Sequence, residues 1–251
     1  MNAVYAPTAL PNDANTRAWN ERALERVNAN RARLGLTPIS DVLRHIVTTH
    51  PWLASDATLA PPPSIPGMTV TQTGAWILTD STPLPSDLDD FLGAGEPPVY
   101  FGFGSMPVAA GTSQTLIEAA WAAGRRAIVW RGWAELEPIG QASDCIAIGD
   151  VNQQALFPRV AAVVHHGGAG ATHTAAFAGA PQVVVPMFGF SDQPFWASRV
   201  RALGIGTSVP IAELTADRLA SALHTVSDPG IAERAGSIAE RIVTNGAAVA
   251  A

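Results

Sequence analysis

AAVVHHGGAGATHTAAFAGAPQVVVPMFGFSDQPFW, residues 161–196, holds a short apolar run, two histidines, a glycine-rich corner, a small-residue stretch, a second apolar run and then Asp192 and Gln193. That order predicts strand, tight turn, helix and strand, with the polar groups gathered where the strands end. Gly167, Gly168 and Gly170 leave the backbone bare, so a ligand can approach the N–H groups that open the helix. Those groups have no partner within the helix, and the helix dipole favours negative charge there. His165 and His166 add two imidazoles beside them. A pyrophosphate would satisfy all of these groups at once.

Outward from this stretch the pattern is regular. Apolar runs at Val99 to Phe103, Ala127 to Trp130, Cys145 to Ile148, Ala162 to Val164, Gln182 to Val185 and Gly206 to Val209 alternate with helical patterns. The clearest helices are Ser113 to Ala123, Ala169 to Ala178, Gln193 to Leu203 and Ala216 to Val226, the last with Thr215 as its cap. Strands that are apolar throughout and alternate with helices form a parallel sheet covered on both faces. The fold class is therefore α/β, with a Rossmann-like parallel sheet. Such sheets bind ligands at the carboxyl ends of their strands. There lie Ser105, Arg131 to Trp133, Asp150 to Asn152, His165 to Gly170 and the loop from Pro186 to Gln193. Turn formation alone explains the glycines but not His165, His166, Asp192 and Gln193 together.

The first hundred residues differ. MNAVYAPTALPNDANT has no periodicity and two prolines, and is expected to be an irregular lead-in. From Thr16 to Leu34 the positions Trp19, Ala23, Leu24 and Val27 recur at helical spacing, and Gly35 ends the pattern. Thr37 and Pro38 suggest the cap and first turn of a second helix, with Ile39, Val42, Leu43, Ile46 and Val47 as its buried stripe. Nothing before these stripes reads as a sheet for them to cover. APPPSIPG, residues 60–67, is a stiff connector. It separates an incomplete first domain, residues 1–67, from a second, residues 68–251.

Composition excludes several functions. The chain has 251 residues, 47% of them hydrophobic, a net charge of −6 and only 14% charged residues. It can bury a full core but has little charge from which to build a nucleic-acid-binding face. The lone cysteine, Cys145, forms no internal disulfide and reads as a buried strand residue. No apolar run reaches the roughly 18 residues of a membrane span, and no signal peptide is evident, so the cytoplasm is the expected compartment. GFGSMP (Gly102 to Pro107) departs from a dinucleotide fingerprint, and no acidic residue ends the second strand. DLDD (Asp87 to Asp90) reads as one face of a short amphipathic helix rather than a metal site, because Leu88, Phe91 and Leu92 supply its other face.

HHGGAGAT, followed by the proline-started loop that ends in Asp192 and Gln193, resembles the donor-binding signature of nucleotide-sugar glycosyltransferases of the two-Rossmann-domain type, those of glycopeptide antibiotics and sterols above all. The resemblance runs from about Asn15 to Ala251 through QTGAWIL, PPVYFGFGSM, RGW and VNQQALF. It implies that His166, Gly168, Gly170, Ala171, Thr172 and Ser105 hold a donor diphosphate. It places Val151 and Trp133 at the nucleobase, and Asp192 and Gln193 at the sugar hydroxyls. Ala171 stands where many relatives carry a hydroxyl, and the loop MFGFS is longer than in common forms. His165 is either a ligand group or a strand-end residue bonded to backbone.

The implied function is the donor-binding portion of an inverting, metal-independent hexosyltransferase, without a cofactor. Its co-substrate would be a UDP- or dTDP-linked sugar and its acceptor a hydrophobic small molecule or lipid. The family's base lies in a motif that this chain does not match, so no catalytic base is assigned. The chain is expected to begin partway through its first domain, leaving helix stripes for a missing acceptor domain or a second copy. A half-enzyme that holds the donor without turnover, or a nucleotide-sugar epimerase of the same fold, are the alternatives.

Overall fold

The structure, a computed structural model, describes every residue except 1, 2, 5, 141, 142 and 190. Two units divide the chain: Met1–Ile77 with Val243–Ala251, and Leu78–Ile242.

In the first unit three two-residue strands, β1 (Ala3–Val4), β2 (Trp52–Leu53) and β3 (Thr71–Gln72), pair in parallel in the order β1-β2-β3. The lead-in expected to be irregular thus supplies a strand, one too short to show a period. Val4, Leu10, Leu43, Val47 and Leu53 form the small core over this sheet. Helix α1 (Asp13–Arg33) starts at Asn12, whose side chain accepts the Asn15 N–H at 2.9 Å. None of its residues is buried, and Trp19 is 47% exposed.

The second helix, α2 (Val42–Val47), starts later than the sequence suggests, with Asp41 rather than Thr37 as its cap. The cause lies in α1. Asn28 bonds both the carbonyl and the N–H of Ile39 at 2.9 Å, and Asn20 takes the Ser40 carbonyl and the Val42 N–H. Residues 39–42 therefore satisfy their backbone against two asparagine side chains instead of within a helical turn. Val42, Leu43 and Val47 are buried, whereas Ile46 of the same stripe is exposed.

The second unit opens with α3 (Ser86–Gly93), which buries Leu88, Phe91 and Leu92 and turns Asp87, Asp89 and Asp90 outward. There follow β4 (Val99–Gly102), α4 (Thr112–Ala122), β5 (Ala127–Trp130), β6 (Cys145–Ile148) and the single turn α5 (Gln153–Leu156). The remainder is β7 (Ala162–His165), α6 (Ala169–Phe177), β8 (Gln182–Val184), α7 (Gln193–Ala202), β9 (Gly206–Ser208), α8 (Ala216–Val226) and α9 (Pro229–Ala239). Thr215 caps α8 by accepting the Arg218 N–H at 3.2 Å. After α9 the chain returns to the first unit, where the Val243 N–H donates to buried Asp56 at 2.9 Å and α10 (Gly246–Ala250) ends it. The sequence reading did not foresee this return.

All six strands of the second unit are parallel, in the order β6-β5-β4-β7-β8-β9. This is a doubly wound sheet whose halves grow outward from the β4–β7 pair. Both faces are covered, which is why the runs are apolar throughout. Phe101, Val129, Val164 and Val183 pack under α4 and α8 with Leu116 and Leu219. Their neighbours Tyr100, Ile128 and Val163 pack on the other face with Leu88, Phe157 and Ala175. Cys145 is buried in β6, and burial pushes its thiol pKa up. Among the described residues no helix is long and apolar enough to cross a membrane.

The β8–β9 pairing leaves no room for a side chain at Gly206, where a Cβ would stand 2.0 Å from the Gln182 carbonyl oxygen. Gly206→Ala is expected to lower the unfolding free energy by about 2–3 kcal/mol through overpacking. Denaturant melts of the two proteins check it, and equal midpoints would contradict the register.

Candidate functional site

At the β4–β7 pair the sheet changes winding direction, and Gly102 stands opposite His165 in register. The two chains leave for different helices, so a crevice opens at their carboxyl ends. A cleft of about 410 Å³ lies there. Gly104 and Ser105 border it on one side, and Gly168, Gly170 and Ala171 at the start of α6 on the other, with His166 between. Tyr100, Trp130, Gln153 and Phe157 complete the wall.

The corner between β7 and α6 is held by His165. Its Nδ1 accepts the Gly167 N–H at 3.1 Å, which leaves Nε2 to carry the hydrogen and donate to Gln182 Oε1 at 2.9 Å. Both ring nitrogens are thus used inside the protein. Burial pushes its pKa down to about 4, reinforced by His166 and opposed by Gln182. His165 is therefore the backbone-bonded strand-end residue of its two readings. Gly167 has φ +87°, and a Cβ there would lie 2.7 Å from Val184, so only glycine makes this turn.

Gly168 is the N-cap of α6, and no side chain caps the helix. The first intrahelical bond, from the Thr172 N–H to the Gly168 carbonyl, leaves the preceding N–H groups directed out of the helix start. His166 stands beside them. A Cβ on Gly104 or Gly168 would come within 2.8 or 2.5 Å of its ring, so these two glycines make its slot. Its Nδ1 is buried with no hydrogen-bond partner. Burial lowers its pKa, and the nearby Asp192 carboxylate opposes that shift. A buried polar atom left without a partner costs about 1–3 kcal/mol, and the ring nitrogen nearest Gly168 is the other one, Nε2.

The other sequence-derived residues separate into two groups. Ser105, Gly168, Gly170 and Ala171 join His166 around the cleft. Thr172 does not: it is fully buried, and its hydroxyl donates to the Gly168 carbonyl at 2.9 Å, while Thr174 lines the cleft instead. Asp192 receives the Trp196 indole N–H on Oδ2 at 3.0 Å. Gln193 is buried, its side-chain Oε1 accepting the Met187 and Phe188 N–H groups. It braces the loop after β8, in which Phe190 lies outside the described residues. Val151 borders an adjoining hollow of about 350 Å³ that shares Gln153 and Thr174 with the cleft. Trp133 is 75% exposed and lines neither.

Sequence reasoning passed over Tyr100, Trp130, Gln153 and Thr174. Tyr100 had a readable signal: it is the one residue with a polar tip inside the run Val99 to Phe103. Two places before a strand-end glycine, it shares that glycine's face of the sheet.

Fold and sequence together point to a class: the chain is similar to part of glycosyltransferases of the two-Rossmann-domain type, and its later residues to a C-terminal domain of that kind. Residues 134–248 match the family described as erythromycin biosynthesis protein CIII-like, C-terminal domain. Among particular relatives, vancomycin aglycone glucosyltransferase of Amycolatopsis orientalis is 48% identical over 238 residues, 92% of this chain and 57% of that protein. Sterol 3-beta-glucosyltransferase UGT80A2 of Arabidopsis thaliana is 39% identical over 160 residues, 62% of this chain and 25% of that protein. The solved structure of the glycotransferase of kitacinnamycin superposes with a TM-score of 0.69 at 21% identity, covering 94% of this chain and 64% of that one. The chain thus spans little more than half the length of the glycopeptide relative.

The neutral His165 makes stability depend on pH in a set direction. Its pKa is about 4 in the native protein and 6.5 when unperturbed. Its contribution is complete above pH 6.5 and is lost as pH falls toward 4, because the unfolded chain binds a proton that the native ring does not. Between pH 7 and 4.5 the protein is expected to lose about 2–3 kcal/mol more unfolding free energy than His165→Gln. Urea melts at the two pH values measure it; parallel losses would mean that His165 does not titrate in the unfolded chain alone.

Proposed function

We propose that the second unit binds the nucleotide-sugar donor of an inverting, metal-independent glycosyltransferase. One observation carries this reading: His166, whose Nε2 is the ring atom nearest Gly168, stands beside the uncapped start of α6 in a crevice at the switch point of a parallel sheet. Neutral N–H donors fixed there stabilise a diphosphate as it takes up the charge of the breaking glycosidic bond. The diphosphate lies along Gly168, Gly170 and Ala171, with His166 and Ser105 as side-chain donors. The base extends to the hollow beside Val151, whose lining includes Asn152 and Gln154, the latter tied by its side chain to the Leu78 carbonyl at 2.7 Å. Asp192, one oxygen held by Trp196, keeps its other oxygen for a sugar hydroxyl.

The acceptor is a hydrophobic small molecule or lipid, a reading that rests on the names of the aglycone and sterol relatives. Transfer to it also needs a base in line with the anomeric carbon. No residue of this chain is assigned that task, and an N-terminal acceptor domain or a partner chain is the proposed source. The protein alone is then a donor-binding half, located in the cytoplasm.

Calorimetry with UDP and dTDP tests the reading. Binding is expected in EDTA as well as in magnesium, and binding only with metal would overturn the cradle. His166→Ala is expected to lose about 1–3 kcal/mol of nucleoside diphosphate affinity through one charge-assisted bond. Asp192→Ala is expected to weaken the nucleotide sugar and spare the bare nucleotide. Equal losses for both ligands would remove Asp192 from the sugar pocket.

A further inference from the structure

Tyr100 brings a buried hydroxyl to the lining of the cleft. The residue is 2% exposed and lies on the second strand position before the turn into the crevice. Its ring is fixed edge-on against Phe157 at 4.9 Å between centroids. Its Oη passes so close to Gly102 that a Cβ there would stand 2.4 Å away. Gly102 is the residue paired with His165, so the phenol ends at the seam from which the β7–α6 corner rises.

The hydroxyl has one partner. Gln153 Nε2 donates to Oη at 3.3 Å, which occupies the oxygen as an acceptor and leaves its own hydrogen free. No acceptor within the described residues takes that hydrogen. A buried donor of this kind is costly unless something in the cleft receives it. Burial also pushes the phenol pKa up, so the group keeps its proton at any pH at which the protein is used. Trp130 does not compete for the position, because its indole N–H already donates to Asp150 at 3.2 Å.

We infer that Tyr100 is a ligand-binding residue whose hydroxyl donates to a phosphate oxygen of the nucleotide. The inference rests on the donor-binding reading above and adds a donor from the cleft floor to those of the α6 start. Gln153 is the positioning residue: by occupying the phenol's lone pair it turns the hydrogen toward the ligand. Because the donor is neutral and remains protonated, its contribution does not change between pH 7.5 and 9, where the phosphate is fully ionised.

The test is calorimetry with UDP, and with uridine as a competitor, on the wild-type protein and Tyr100→Phe. Phenylalanine keeps the ring contact with Phe157 and removes only the oxygen. The variant is expected to melt within a few degrees of the wild type and to bind UDP about 10-fold more weakly or worse, by the same factor at pH 7.5 and pH 9. Uridine affinity is expected to stay level. Undiminished UDP binding by Tyr100→Phe would overturn the inference, as would an equal loss for uridine, which would move the contact to the ribose. Failure of the wild-type protein itself to bind UDP would instead overturn the site. Should Tyr100→Phe fold poorly, Gln153→Leu serves: a several-fold loss of UDP affinity is expected, and unchanged affinity counts against the proposal.

Discussion

The hydrogen bond from the Gly167 N–H to the imidazole of His165 governs the geometry of the cleft. It closes a turn that a side chain at residue 167 would prevent, and through Gln182 it ties that turn to the carbonyl of Thr172 one helical turn on. The direction of α6 follows from these bonds, and with it the aim of every N–H group at the helix start. A protonated His165 could not accept the Gly167 hydrogen. Keeping the ring neutral by burial is thus what keeps the start of α6 in place.

His165 and His166 are adjacent, yet the pleat of the strand end gives them opposite tasks. One faces into the sheet and uses both nitrogens; the other lines the crevice, with Nδ1 buried and Nε2 toward Gly168. A site built this way carries little net charge of its own. The proposed anion binding rests on oriented N–H groups and on desolvation, both of which act strongly where water is excluded.

Much of this was legible beforehand, for physical reasons. Strands covered on both faces must be apolar throughout, and glycines are needed where a helix start meets a ligand, so the sheet and the corner showed in the composition of short windows. β5, β6 and α8 have the bounds that the pattern gave them. What stayed hidden depends on distant partners. Thr37 looked like a cap until Asn20 and Asn28 claimed the backbone after it, and β1 is too short to carry a period. Thr172 looked like a ligand group because its position suits one, but its hydroxyl turns back onto Gly168. Tyr100 went unremarked because a tyrosine in an apolar run passes for core, and only its length brings its oxygen to the strand end.

The return of the chain after Ile242 bears on how the first unit folds. Its tail meets Asp56 across a sequence separation of 187 residues, while β1, β2 and β3 close over much shorter stretches. In a loose coil that encounter carries a large loop-closure entropy. Once the second unit has formed its own sheet, most of the intervening chain is no longer coil, and the search shrinks to the few residues on either side of it. The tail contact is therefore expected to form after the parallel sheet has closed.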